Sequence, residues 1–198
     1  MSGLSGVTRV AWESGHWTTE PVSSEVDGDA LVVTAAEGTD AWRTTAYGFI
    51  HDTEHALLAP FAVGAAVEVA FTGDFSGDFD QAGAFIRTDD ENWIKPGVEF
   101  SDGLLQLGAV VTRGVSDWSV APVPHWAGRR ITVRASRSGD AVAIRARVDD
   151  EPFALIRLAP LDPDAQVEAG PFLCAPSRAG LTVRFESWTV TEADGSLH

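Results

Sequence analysis

The amino-acid sequence predicts an all-β protein with the architecture of a two-sheet antiparallel jelly-roll sandwich. Apolar and polar residues alternate with a period of two in three consecutive segments between residues 80 and 119. This alternation is expected of strands, because successive side chains point to opposite faces of a sheet. Turn signals separate short β-like segments along the whole chain, which is typical of sandwiches and barrels. No segment longer than about two turns has the apolar pattern of a helix.

The three alternating segments, residues 81–87, 93–100 and 105–112, are predicted to form adjacent strands with one apolar face. That face comprises Ala82, Ala84, Ile86, Ile94, Val98, Phe100, Leu105, Leu107, Ala109 and Val111. Asp102-Gly103 is a type I′ turn signal, since both central positions need a positive φ. It pairs Phe100 with Leu105, and the acidic loop 89–91 pairs Ile86 with Ile94. Pro96 lacks a backbone donor within this inner strand, so a β-bulge is expected there.

The remaining strands are predicted from the same signals. They cover residues 30–35, after the Asp27-Gly28 turn, and residues 65–71, 131–135, 142–148, 153–158, 167–173 and 181–190. Segments 131–135 and 142–148 form a hairpin across residues 138–140. Residues 49–60 are interpreted as a hairpin around residues 52–54, although residues 55–60 also suit a helical turn.

Length and composition favour one β-sandwich domain over residues 1–198, with its core at about 12–190. The 198 residues contain no linker, and 44% of them are hydrophobic, which is enough for a sizeable core. No apolar run approaches the roughly 18 residues needed to span a membrane. The N-terminus lacks the apolar core of a signal peptide, so a cytoplasmic location is expected.

Charge and cysteine content exclude several classes of partner and chemistry. The formal net charge is −15 with a pI of about 4.5, so the surface repels phosphate backbones and nucleic acid is not an expected partner. Neutral or cationic small ligands remain compatible with this charge. The lone Cys174 excludes an intramolecular disulfide, and its apolar strand predicts a buried thiol.

The opposite face of the three central strands carries the candidate site. Four rows cross it: Gln81, Glu99 and Gln106; then Gly83, Gly97 and Gly108; then Phe85, Lys95 and Val110; then Arg87, Trp93 and Thr112. The glycine row predicts a channel in which a ligand approaches the backbone. The alternative is an ordinary solvated face, or a face packed under a loop. Trp93 is expected to be exposed, because it points away from the apolar face. Lys95 is expected to favour the ionised form of Glu99.

Metal and cofactor sites are weakly indicated, and none is expected. Asp74, Asp78 and Asp80 lie in a Gly-rich loop, but their spacing does not match the common calcium-loop pattern, so a plain acidic turn is favoured. His51 and His55 are four residues apart with a predicted turn between them. We interpret them as structural or rim residues rather than zinc ligands.

Several motifs together resemble a family of unknown function that includes the fungal regulation-of-enolase protein. The motifs are Trp42 with Thr45, Tyr47-Gly48, Asp80-Gln81-Ala82-Gly83, Arg87, Asn92-Trp93-Ile94-Lys95, Gly97 with Glu99, Asp102-Gly103, Val111-Thr112-Arg113 and Ser116-Asp117-Trp118-Ser119. The resemblance covers about residues 12–190. It implies a concanavalin A-like lectin and glucanase sandwich with a concave polar face, and it supplies no settled activity. Pro96 departs from the donor-competent residue expected in that strand.

These observations predict non-catalytic binding of a small polar ligand, a saccharide or sugar-like metabolite, on the concave face. Sugar sites combine aromatic platforms with hydrogen-bonding edges. The predicted ligand-binding residues are Gln81, Arg87, Trp93, Lys95, Glu99, Gln106, Asp117, Trp118, Trp42 and Tyr47. One alternative is a glycoside-active enzyme with Glu99 as base, although the paired carboxylates of glycosidases are not evident on this strand. The other alternative is a regulatory module that binds a protein partner.

Overall fold

The computed structural model describes residues 6–197 and consists of strands joined by turns and two 3₁₀ turns. The strands are β1 Thr8–Arg9, β2 His16–Trp17, β3 Ser23–Asp27, β4 Ala30–Thr34, β5 Ala41–Arg43, β6 Ile50–Asp52, β7 His55–Pro60, β8 Ala65–Gly73, β9 Gln81–Asp89, β10 Asn92–Ser101, β11 Leu104–Arg113, β12 Val115–Pro122, β13 Ile131–Ser138, β14 Ala141–Val148, β15 Ala154–Pro160, β16 Glu168–Cys174 and β17 Thr182–Glu192. The 3₁₀ turns are Trp12–Ser14 and Pro124–Trp126. Within residues 6–197 there is no helix with the length and apolarity to cross a membrane.

Two antiparallel sheets pack face to face, which confirms the predicted all-β sandwich. The first sheet has the order β15-β14-β13-β8-β17-β4-β3, and β1 pairs with β17. The second sheet has the order β12-β11-β10-β9-β16-β7-β2. The predicted strands 167–173 and 181–190 correspond to β16 and β17, which lie in different sheets. Strands β5 and β6 pair only with each other.

The core between the sheets is formed by side chains from their facing surfaces. The first sheet contributes fully buried side chains, among them Val69, Phe71, Val133 and Phe185. In the second sheet, Ile86 is 1% exposed. The predicted apolar face of β9, β10 and β11 contributes to this core, with Phe100 packed against it as a partly buried neighbour. Burying this continuous apolar surface is the main favourable term in folding.

The predicted register of the central hairpins is confirmed. Asp102 and Gly103 have φ values of 54° and 74°, as a type I′ turn requires. Phe100 pairs with Leu105 across that turn. Ile86 pairs with Ile94 across the preceding hairpin. Because the register is as predicted, every side chain of these strands lies on its predicted face.

Two local predictions are wrong. Pro96 causes no bulge: β10 keeps one register with β9 on both sides of it, pairing Ile94 with Ile86 and Gly97 with Gly83. The ladder is interrupted at Lys95 and Pro96, and the register shifts instead between Asn92 and Trp93. The missing N–H of proline removes a ladder bond without adding a residue. Residues 49–60 do not form a hairpin, because β6 turns away to pair with β5 while β7 enters the second sheet between β16 and β2.

Candidate functional site

The outer face of the second sheet, which points away from the first sheet, is called here the site face. Part of it is covered by the ribbon, which consists of Asp40, β5, the connecting residues 44–49 and β6. A second apolar cluster lies beneath the ribbon. It comprises Ala41, Trp42, Ala56, Leu58, Phe85, Trp93, Val110, Phe172 and Cys174, with Trp118 packed against it. The site face is therefore the floor of a second layer.

Polar side chains fasten the ribbon to the site face. Lys95 Nζ donates to Ala41 O at 2.9 Å and to Asp40 Oδ1 at 3.0 Å. Gln81 Nε2 donates to the same Asp40 oxygen at 3.0 Å. Within the ribbon, Arg43 pairs with Asp52 at 3.1 Å. Arg43 also pairs with Glu91 of the β9–β10 turn at 3.0 Å, and its backbone N–H donates to Ser116 Oγ at 2.9 Å. These bonds connect the ribbon to β9, β10 and β12.

A cavity of about 310 Å³, the ribbon cavity, lies between the ribbon and the site face. Its aromatic walls are Trp42, Tyr47, Phe49, Phe79 and Trp118, and His51 completes them. Neighbouring rings support one another: Tyr47 stacks on Phe49 at 5.4 Å, and Trp42 meets Trp118 edge-on at 6.4 Å. The polar floor consists of Asp40, Gln81, Lys95 and Glu99. Aromatic walls over a few convergent polar groups are the usual composition of a small-molecule site.

The electrostatics of the floor depend on one buried ion pair. Burial opposes the charged form of Asp40, but the adjacent Lys95, together with hydrogen bonds from Ala41 N and Gln81, outweighs this and the pKa of Asp40 is lowered. Burial likewise disfavours the charged form of Lys95, and Asp40 reverses the effect, so the pKa of Lys95 is raised. Both groups are therefore ionised at neutral pH, and each is the principal partner of the other.

Glu99 differs from Asp40 although both carboxyl groups line the same cavity. Burial raises the pKa of Glu99 to about 7, and the opposing effect of Lys95 is smaller. Its Oε1 is shielded from solvent and has no hydrogen-bond partner within the described part of the chain. The expectation that Lys95 favours the ionised form of Glu99 is therefore correct in direction, but desolvation is the larger effect. Lys95 is paired with Asp40 instead.

The structure brings together six of the predicted site residues and separates four. Those lining the cavity are Gln81, Lys95, Glu99, Trp42, Tyr47 and Trp118. Gln106 shares a row with Glu99, but its amide Nε2 donates to Ser101 O and Oγ instead of facing the cavity. Arg87 lies at the far end of β9, where it pairs with Asp90.

Trp93 and Asp117 are not where the sequence placed them. The prediction that Trp93 is exposed is wrong: it is 4% exposed and stacks on Phe85 at 5.4 Å. Asp117 pairs with Val111 across the β11–β12 ladder, so it lies on the side of the inter-sheet core. At that edge of the sheet it bonds to Arg157 at 2.9 Å.

The glycine row does not form a channel, and that prediction is wrong. A Cβ atom on Gly97 would lie 2.2 Å from the backbone oxygen of Ala82, and one on Gly108 would lie 1.9 Å from that of Ser119. The space above Gly97 and Gly108 amounts to about 20 Å³. These glycines allow neighbouring strands to approach closely, and the cavity lies beside them.

Sequence reasoning missed Asp40, Phe49 and Phe79 as site residues. Asp40 and Phe49 belong to the ribbon segment, whose alternation is too short to predict a strand with a buried face. The concentration of aromatic residues at Trp42, Tyr47 and Phe49 was an available signal. Such a group in a segment without periodicity needs a surface to pack on.

The candidate metal-binding residues have other partners. Asp80 Oδ2 accepts hydrogen bonds from Ser76 N, Gly77 N and Arg178. His55 Nε2 accepts from Ala36 N at 3.0 Å, which leaves Nδ1 as the donor to Thr19 O. His55 is therefore structural, whereas His51 lines the cavity rim. Between residues 6 and 197, no group of three or more His, Cys, Asp or Glu side chains is placed to hold a metal ion.

Comparison with solved structures supports the fold. A functionally unknown protein from Saccharomyces cerevisiae has a TM-score of 0.88 and 33% sequence identity, covering 94% of this chain and 100% of that one. A xylan β-1,4-xylosidase from Bacillus halodurans C-125 has a TM-score of 0.65 at 13% identity, covering 82% of this chain and 33% of the xylosidase. At that identity the second similarity concerns the fold alone.

Comparison with sequences identifies the family. The chain is 35% identical over 185 residues to "Regulation of enolase protein 1" of Saccharomyces cerevisiae, covering 93% of each protein. A family model described as "Protein of unknown function (DUF1349)" matches residues 17–193. The match includes the ribbon, the site face and every strand from β3 to β17. The chain therefore belongs to the DUF1349 family of proteins of unknown function.

Proposed function

We propose that this protein binds a small polar ligand, a saccharide or sugar-like metabolite, in the ribbon cavity. The observation that carries the proposal is Glu99 Oε1, a buried oxygen without a hydrogen-bond partner, on a carboxyl group that lines a cavity of about 310 Å³. Leaving a buried polar atom unpaired costs about 1–3 kcal/mol. A ligand that donates a hydrogen bond to this carboxyl group would recover part of that cost.

The walls of the cavity would contact the apolar faces of a ligand, and the floor would bind its polar groups. Rings of Trp42, Tyr47 and Trp118 offer flat apolar surfaces for the C–H faces of a ligand. Asp40 and Gln81 are fixed by their bond to each other, so they present their remaining oxygens in a preorganised geometry. Such a site favours a compact ligand with several hydroxyl groups over a flexible apolar one.

A second candidate function, general acid catalysis, is favoured by one observation. Asp40 is held ionised by Lys95, whereas the pKa of Glu99 is about 7. Neighbouring carboxyl groups with separated pKa values are a pattern found in acid–base enzymes. Glu99 would then act as a proton donor near neutral pH, rather than as the base expected from the sequence.

The test is a calorimetric screen of a glycan and metabolite library against the wild type, Glu99→Gln and the matched control Glu25→Gln, whose position is exposed on β3. Glu99→Gln should weaken a true ligand by about 1–3 kcal/mol, because a hydrogen bond to a charged group is lost. Glu25→Gln should bind as the wild type does. Equal affinity of all three proteins for every ligand would contradict the proposal.

Product formation in the same samples distinguishes the two functions. If the protein only binds its ligand, each ligand is recovered chemically unchanged. If Glu99 is a general acid, the wild type converts a ligand and Glu99→Gln loses about 10²–10⁴-fold in rate while binding persists.

A further inference from the structure

The charged groups around the ribbon cavity are unequally paired. Lys95 already bonds to Asp40 Oδ1 at 3.0 Å and to Ala41 O at 2.9 Å, and its side chain is only 4% exposed. Glu99 forms no ion pair with any residue in the described range 6–197. When Glu99 is ionised, the cavity therefore carries one carboxylate that lacks a cationic partner.

The walls of the cavity suit a cation as well as they suit a sugar face. Tyr47 and Phe49 are 55% and 43% exposed at the mouth, and Trp42 and Trp118 stand deeper. The negative π-face of an aromatic ring attracts an ammonium group, and rings arranged around a cavity recognise such groups in this way. The rings that line the cavity and the carboxyl group of Glu99, which forms no ion pair within residues 6–197, therefore offer two kinds of attraction to one positive charge.

The charges around the cavity also favour a cationic ligand over an anionic one. Besides Asp40, Lys95 and Glu99, the titratable side chains that line the cavity are Tyr47 and His51. The whole protein carries a formal net charge of −15, which attracts cations and repels anions over long distances. An anionic ligand would meet both this field and the two carboxyl groups of the floor.

We propose that the ligand of the ribbon cavity carries a cationic nitrogen, which binds between Glu99 and the aromatic walls. This inference rests on the ligand-binding function proposed above and narrows it to amine-bearing compounds, such as amino sugars. A cation beside Glu99 favours its ionised form, so binding should release a proton from any Glu99 that is protonated beforehand. A neutral ligand has no such effect.

The experiment is calorimetry at pH 7 with ligands in matched pairs. Glucose, galactose and mannose are each compared with the corresponding 2-amino sugar and its N-acetyl derivative, and choline is compared with its neutral isostere 3,3-dimethyl-1-butanol. We expect an amine to bind at least tenfold more tightly than its neutral partner. That preference should disappear in Glu99→Gln and persist in Glu25→Gln. Titration in two buffers of different ionisation enthalpy should reveal proton release for the amine alone.

The outcomes separate this inference from the proposed function. Equal or tighter binding of the neutral sugars would overturn the cationic preference and leave saccharide binding standing. Binding of choline without any amino sugar would support the cation site and reject the saccharide class. Failure of every compound to bind would overturn both. A preference for amines that survives in Glu99→Gln would overturn the role of Glu99 and, with it, this inference.

Discussion

The two faces of the second sheet are formed by the same strands but are buried by different means. On the inner face, Ile86 and Ile94 are 1% and 3% exposed because a complete sheet packs against them. On the site face, Trp93 and Lys95 are 4% and 5% exposed, yet their cover is a ribbon of two three-residue strands. An isolated pair of such strands is marginally stable, so the ribbon depends on its contacts with the sheet.

This difference shows that a polar face of an antiparallel sheet need not face water. The polar residues of the site face bind the covering segment: Lys95 and Gln81 bond to Asp40, and Ser116 accepts the backbone N–H of Arg43. A thin layer held by a small apolar cluster and a few polar bonds opens at a lower free energy than a packed core. The ligand cavity lies where the cover is incomplete.

The largest expected effect concerns the glycines that let the strands of this sheet approach. Gly97→Val should destabilise the protein by about 4 kcal/mol or more, because the new Cβ would lie 2.2 Å from Ala82 O and neither backbone can move freely. Urea denaturation measures the change. In the control, Gly195→Ala, the added Cβ meets nothing within 4 Å, and the effect should stay within about 0.5 kcal/mol. A stable Gly97→Val that loses only ligand binding would restore the channel interpretation.

The same contrast explains how much could be predicted from the sequence. The inner face was predictable because Asp102-Gly103 fixes a register and the alternation then assigns each side chain. The ribbon was not predictable, because it covers the site face through tertiary contacts such as Lys95 to Asp40, which are 55 residues apart. The burial of Trp93 follows from that cover. The sequence therefore identified Gln81, Lys95, Glu99 and Trp118 on the sheet and Trp42 and Tyr47 in the ribbon, whereas Asp40, Phe49 and Phe79 were missed.

The ion pair between ribbon and sheet gives the next largest effect. Lys95→Met should destabilise the protein by about 3 kcal/mol, because Asp40 would remain largely buried without its cation. Adding Asp40→Asn should recover most of the loss. The exposed pair of Arg129 and Asp149 is the matched control, and Arg129→Met should cost much less than Lys95→Met, because solvent screens this pair. Equal costs for Lys95→Met and Arg129→Met would mean that the ribbon is not held by this pair.

The pH dependence of stability should reveal the burial of the Glu99 carboxyl group on the site face, because the apolar side chains of the inner core do not titrate. The pKa of Glu99 is raised from 4.5 to about 7 in the folded protein, so its contribution is fully present below pH 4.5 and is lost as pH rises through 7. Between pH 5 and pH 8, the wild type should lose about 2–3 kcal/mol relative to Glu99→Gln.

The wild type is compared with Glu99→Gln because titration of His55 changes the stability in the opposite direction. Burial lowers the pKa of His55, so its contribution is lost as pH falls below about 6.5, and it cancels in the difference. Urea titrations at four pH values, with Glu25→Gln as the control, measure the effect. Parallel pH profiles for the wild type and Glu99→Gln would mean that Glu99 is not desolvated.

The smallest expected effect comes from two adjacent residues of β12 that point to opposite faces. Asp117 lies on the inner side and pairs with Arg157 at the sheet edge, with its side chain 68% exposed. Asp117→Asn should therefore leave affinity unchanged and alter stability by at most about 1 kcal/mol.

Trp118 lines the ribbon cavity, so Trp118→Ala should weaken a cavity ligand about tenfold, or about 1.4 kcal/mol. Calorimetry with one ligand measures both variants. If Asp117→Asn weakened binding more than Trp118→Ala, the site would lie at the edge of the sandwich and not beneath the ribbon.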